Sequence, residues 1–175
     1  MRLFIAIVFN DQIKNKLSGY IQRLKAGSVH GNFTLRDNLH LTIIFIGETE
    51  RMNEVKEAMD KIDEPPFNIT LRGIGRFRRE GGDIYWMGAM KNNTLSGIYN
   101  KLYRSLGEYG FSLENRKFKP HLTMGREVIL SEGFNRDAFS KAILPVDMDV
   151  AKISLMKSER INGRLTYTEV YAKLL

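Results

Sequence analysis

The chain has no cysteine. Disulfides, thiolate nucleophiles and cysteine-held zinc are therefore excluded, and this usage fits a reducing compartment. Nor is there an apolar run approaching the roughly 20 residues of a membrane-crossing helix. The run from Leu3 to Val8 is short, lacks a cleavage site and reads as a strand, not a secretory leader. A cytoplasmic protein with no membrane partner is expected. Acidic side chains are outnumbered, with 20 Asp and Glu against 27 Lys and Arg, which leaves a formal charge of +7. That balance favours anionic partners, nucleic acid among them, although many basic enzymes never meet a nucleic acid. With 43% hydrophobic residues in 175, the chain is not disordered and has material for one compact domain or two small lobes sharing a core.

Histidine is also scarce, and two of the three stand in the same tripeptide: His40-Leu41-Thr42 and His121-Leu122-Thr123, each followed by an apolar residue, Ile43 and Met124. A single histidine on a strand is more often structural than catalytic. A matched pair is a different signal, because imidazole is the side chain that gives or takes a proton near neutral pH. On a strand, residues i and i+2 share a face. His40 and Thr42 therefore point together, as do His121 and Thr123, while Leu41 and Leu122 turn into the core.

The surroundings repeat as well. Periodicity predicts strands over 2–9, 39–46, 67–74, 84–90, 119–126, 150–156 and 165–172, with a short one around 33–35. Helices open at Asn10 or Asp11, at Thr49, at Thr94 and over 135–143; Gly27, Pro65-Pro66 and Gly110 end the first three. Asn162-Gly163 is a hairpin turn signal. A shift of 81 residues carries His40 onto His121 and Phe4 onto Tyr85. Each half, about 1–80 and 81–175, then reads strand, helix, histidine strand, helix, strand. The expectation is a single bilobal domain of two pseudo-repeats facing across a pseudo-twofold axis, with both histidines in one cleft.

Two imidazoles and two hydroxyls in one space suit a phosphate diester. One neutral imidazole takes a proton from the nucleophile, one imidazolium gives a proton to the departing oxygen, and the hydroxyls bond the non-bridging oxygens. No His-x-His, His-Glu-x-x-His or carboxylate cluster accompanies either motif, so neither metal nor cofactor is expected. His30 stands alone in a polar stretch and reads as a loop residue. The glycine-rich basic segment from Arg72 to Gly82, with Arg76, Arg78 and Arg79, lacks the Lys-Ser/Thr of a phosphate-binding loop. It reads as a solvated hairpin loop, or else as an arm gripping RNA phosphates. Of Tyr85 and Trp86, parity sends one ring to the core and frees the other to stack a base; core packing is the expected role for Trp86.

Residues 39–47, Leu-His-Leu-Thr-Ile-Ile-Phe-Ile-Gly, and 120–126, Pro-His-Leu-Thr-Met-Gly-Arg, resemble the twin His-x-Thr-x signatures of the two-histidine phosphoesterases. The N-terminal Met-Arg-Leu-Phe-Ile-Ala-Ile and the Tyr85-Trp86 strand are similar to the prokaryotic RNA 2′,3′-cyclic phosphodiesterase (2′-5′ RNA ligase) branch. The resemblance implies a bilobal α+β fold, antiparallel-rich sheets lining a central cleft with helices outside. It implies metal-independent opening of a terminal 2′,3′-cyclic phosphate on RNA or tRNA fragments to a 2′-phosphate. In those terms His40 is the proton donor and His121 the proton acceptor, a distinction the symmetric motifs themselves do not make. Thr42, Thr123 and Arg126 contact the substrate. Arg126 lies an odd number of residues from His121, so it reaches the cleft only if the strand bulges near Gly125. Three other readings stand beside this one: 2′-5′ end joining by the reverse reaction, a phosphodiesterase on small cyclic phosphates, and a non-catalytic RNA-binding module. The duplicated halves already supply internal symmetry, so a monomer is expected.

Overall fold

The computed structural model describes all residues, Met1–Leu175. Its elements run β1 (Arg2–Val8), α1 (Asp11–Ala26), β2 (Ser28–Phe33), β3 (His40–Glu48), α2 (Met52–Asp60), β4 (Phe67–Phe77), β5 (Asp83–Ala89), α3 (Asn93–Glu108), β6 (His121–Leu130), α4 (Arg136–Ala142), β7 (Val146–Val150), β8 (Lys152–Ile161) and β9 (Arg164–Leu174). The fold is α+β, with two antiparallel sheets in the orders β3-β1-β8-β9 and β2-β6-β5-β4-β7. No helix is long and apolar enough to cross a membrane.

Caps set the helix starts. The side chains of Asn10, Asn92 and Asn135 each accept a backbone N–H three residues on, opening α1, α3 and α4. Asn92 thus takes the capping role expected of Thr94. Thr49 bonds the Arg51 N–H instead of a helical one, and α2 begins later, at Met52. The expected strand at 150–156 is two, β7 and β8, divided at Ala151; the expected strand around 33–35 lies earlier, as β2. His30 is therefore an exposed strand residue and not a loop residue.

The two sheets do not coincide with the two halves of the chain. The repeated order of elements is present, but two strands of each half lie in the other sheet, β2 and β4 from the first and β8 and β9 from the second. β4, from the first half, pairs with β5; β8, from the second, pairs with β1. Spacing along the chain reports the order of elements and carries no information on which sheet a returning strand joins. One core of 34 buried residues runs through both sheets and the helices, including Leu17, Ile21 and Leu24 of α1 and Leu95, Ile98, Leu102 and Leu106 of α3. A small second cluster, Phe4, Ala6 and Met156, lies on the other face of β1. This face bears the site.

Candidate active site

Leu41 and Leu122 are 0% and 1% exposed, and His40, Thr42, His121 and Thr123 on the opposite parity are half-buried. Burying each leucine favours this register by roughly 1.5–3 kcal/mol, so the core side chains hold the imidazoles outward. The two histidine strands approach within 8 Å between Cα atoms although they belong to different sheets. The link between them is short. Thr34, just past β2, bonds the Thr123 carbonyl through its hydroxyl at 2.8 Å and the Met124 carbonyl through its N–H at 3.0 Å. Six residues later the same segment enters β3 at His40.

The imidazoles are held alike. Nδ1 of His40 lies 2.7 Å from the Asn38 carbonyl, and Nδ1 of His121 lies 2.7 Å from the Lys119 carbonyl. A carbonyl only accepts, so each ring carries its proton on Nδ1, which leaves Nε2 as the unprotonated nitrogen. Beyond this the sites differ. Nε2 of His40 is 3.0 Å from Thr42 Oγ1, whereas His121 makes no such bond to Thr123. His40 packs against Phe4 (4.9 Å between centroids) and edge-on to Tyr167 (5.1 Å). His121 packs against Phe77 (5.4 Å) and Trp86 (5.9 Å), with Lys119 Nζ 4.3 Å from the Trp86 ring centre.

Trp86 thus faces the cleft, and Tyr85, 2% exposed, is the aromatic in the core. The assignment of Trp86 to core packing is corrected. Room for the indole comes from its cross-strand partner Gly75, where a Cβ would lie 2.2 Å from the ring.

Arg126 is exposed where strict alternation would bury it. The pairing shows why: Trp86 and Tyr85, adjacent, oppose Thr123 and Gly125, two apart, so one extra residue at Met124-Gly125 puts both of these in the core and reverses the alternation. Arg126, next after Gly125, is thereby turned out; a second irregularity follows at Arg126-Glu127, where Glu127 has φ 53°. Its charge acts on His40, His121 and Tyr167 together.

Burial lowers the pKa of both histidines below 6.5. The Asn38 and Lys119 carbonyls oppose that shift, and Arg126 adds to it, with Lys14 and the other imidazole at His40 and Arg116 and Lys119 at His121. The site is cationic in its surroundings and neutral in its imidazoles, a setting that favours an anion. No group of three or more histidines or carboxylates is placed to hold a metal.

One sequence model settles the lineage: that of the 2′-5′ RNA ligase superfamily matches residues 11–162, a span holding both motifs. The chain belongs to that superfamily. Similar superfamily proteins include an RNA 2′,3′-cyclic phosphodiesterase of Thermotoga maritima, 29% identical over 180 residues that cover 100% of this chain and 93% of its own. Another of that name, from Archaeoglobus fulgidus, is 32% identical over 130 residues, 72% of each chain. The structure of Escherichia coli LigT complexed with 3′-AMP aligns at a TM-score of 0.82 and 27% identity, covering 99% of this chain and 97% of that one.

Several residues around the superfamily motifs escaped the sequence reading: Phe4, Phe77, Tyr167, Lys119 and Asn38. Parity alone could have found the last two, each two residues before a histidine. Asn38 also bonds the Leu165 carbonyl through Nδ2 at 2.9 Å, tying β9, and with it Tyr167, to His40. Asn38→Ala removes that tie while keeping the backbone carbonyl on Nδ1. The expected result is a several-fold drop in kcat with stability lowered by only about 0.5–1.5 kcal/mol. Turnover and urea unfolding measured on the same preparation check it.

Proposed function

We propose that this protein hydrolyses the terminal 2′,3′-cyclic phosphate of RNA to a 2′-phosphate, without a metal. Support comes from two imidazoles with matched Nδ1 anchors, Nε2 of His40 on the Thr42 hydroxyl and Nε2 of His121 without such a bond, set among cationic side chains. The names of the similar superfamily proteins point the same way.

In this reading His121 Nε2 takes a proton from water as the oxygen attacks phosphorus. The bond from phosphorus to the 3′ oxygen breaks, and His40, as imidazolium, gives that oxygen its proton. The products are a 3′-hydroxyl and a 2′-phosphate, and the two histidines exchange protonation states. Thr42, Thr123 and Arg126 bind the non-bridging oxygens, whose charge grows in the transition state. The phosphodiester anion itself favours the His40 imidazolium, which burial in the free protein opposes.

That opposition sets a pH dependence. Activity rises as the base loses its proton and falls as the acid loses its own. Both imidazoles start below 6.5 in the free protein. The kcat/KM profile is therefore a bell centred on the acid side of 6.5, and bound substrate moves the alkaline limb of kcat to higher pH. Profiles of both parameters check this; a kcat/KM optimum above neutrality contradicts it.

An oligoribonucleotide ending in a cyclic phosphate, incubated in EDTA, tests the function. Full turnover is expected, giving an end that resists a 3′-specific phosphatase. A non-specific phosphatase then exposes a diol that periodate cleaves. Loss of turnover in EDTA, or a 3′-phosphate product, overturns the reading. So does joining to an added 5′-hydroxyl strand in preference to hydrolysis.

A further inference from the structure

Behind the cleft sits a second basic feature. Strand alternation sends Phe77 and Trp86 toward His121, and their neighbours Arg76 and Tyr85 to the helix-bearing face of the same sheet. There a cavity of about 390 Å³ opens between the β4–β5 hairpin and α4, lined by Arg76, Arg78, Tyr85, Arg136, Asp137 and Ser140 among others. Arg76 is held at 2.7 Å by Asp83. Arg78 and Arg136 are exposed and lie in no ion pair, and neither does Asp137. With Asp83 matched to Arg76 and Asp137 offsetting one of the others, the lining is left with one positive charge. Two free guanidinium forks and the Ser140 hydroxyl serve as donors.

We infer that this cavity is a second phosphate-binding site, taking a backbone phosphate of the RNA whose cyclic end lies in the cleft. The inference rests on the proposed function for the identity of that RNA. Guanidinium groups bind phosphate through paired N–H donors, and two unpaired ones facing one cavity on a protein of charge +7 have no partner within the fold. The hairpin gives the site a path to the catalytic face. Asp83 accepts from Arg76 and from the Arg79 N–H, so it braces the turn whose other face carries Phe77 and Trp86 beside His121. Strand β4 runs on to Phe77 and does not end at Ile74, so Arg76 is a strand residue and only Arg78 to Gly82 form the loop.

The double variant Arg78→Ala/Arg136→Ala tests the site with two substrates. For a 2′,3′-cyclic mononucleotide, kcat and KM stay at the parent values. For a 12-residue oligonucleotide with the same end, KM rises roughly tenfold, and the dependence of log KM on log salt falls by about one unit for the phosphate lost. Equal KM changes on both substrates, or none on either, overturn the inference. Inorganic triphosphate separates the sources. If it inhibits the parent protein on the mononucleotide as strongly as on the oligonucleotide, and the double variant escapes, the cavity serves a free polyphosphate and the RNA assignment is wrong. Failure of the proposed function is distinct: neither substrate is then consumed. Anisotropy of a labelled 12-mer ending in a 2′-phosphate still reads the cavity in that case, with tighter binding by the parent than by the double variant expected and equal binding contradicting the site.

Discussion

His121→Ala, and separately His40→Ala, each lower turnover of an RNA cyclic phosphate by about a hundredfold to ten-thousandfold. The two losses are expected to be far from additive, because the proposed acid and base act on one phosphorus in one transition state. The fold survives both changes. Each ring is half-buried at the start of its strand, and the neighbouring core positions Leu41 and Leu122 are untouched. Steady-state rates with circular dichroism on the same samples check this. A variant that keeps a tenth or more of the parent rate removes its histidine from the chemistry.

Gly82→Ala carries the second large effect, and acts at a distance. Gly82 has φ 133°, a region that L side chains rarely adopt, and a Cβ there would lie 2.5 Å from the Glu127 carbonyl carbon and 2.7 Å from its oxygen. The obstacle is backbone, not the end of a flexible side chain. Backbone strain of this kind costs on the order of 1–3 kcal/mol, and the displaced neighbour adds to it. Glu127 follows Arg126 in the second irregularity of β6, so the strain falls beside a group proposed to bind substrate. The expected result is a melting temperature several degrees lower and a fall in kcat/KM of about tenfold or more. Gly81→Ala is the control: nothing lies within 4 Å of its Cβ position, although its φ of 81° strains the backbone alike. It should lose stability without the same loss of rate.

What could be read from the sequence was what local periodicity determines. The twin His-Leu-Thr tripeptides gave the faces of both histidine strands, since alternation on a strand with one buried side leaves a single register. Asn10 as a cap, the apolar stripes of α1 and α3 and the Asn162-Gly163 turn are equally local. The two residues of that turn have φ of 50° and 77°, as a tight hairpin needs. The exchange of β2, β4, β8 and β9 between sheets was not legible, because chain length and hydrophobicity are the same whichever sheet a strand joins. A bulge near Gly125 was legible as the condition on which Arg126 turns outward, whereas the second irregularity, at Arg126-Glu127, was hidden. There Gly82 lies against Glu127, a contact across 45 residues that no local pattern reports. Trp86 is different, because the signal was there: Met87 and Tyr85, both large and apolar with Tyr85 on one parity, are core, while Gly88 flanks the indole on the other.

The central claim is that both Nε2 atoms grip a single phosphorus centre from opposite sides. A crystal structure with a uridine–vanadate adduct bound, a trigonal-bipyramidal stand-in for the phosphorane-like transition state, tests it most directly. The account predicts the vanadium between the motifs, with His40 Nε2 and His121 Nε2 each about 2.7–3.0 Å from a different apical oxygen. An adduct touching only one imidazole, or lying elsewhere on the protein, contradicts it.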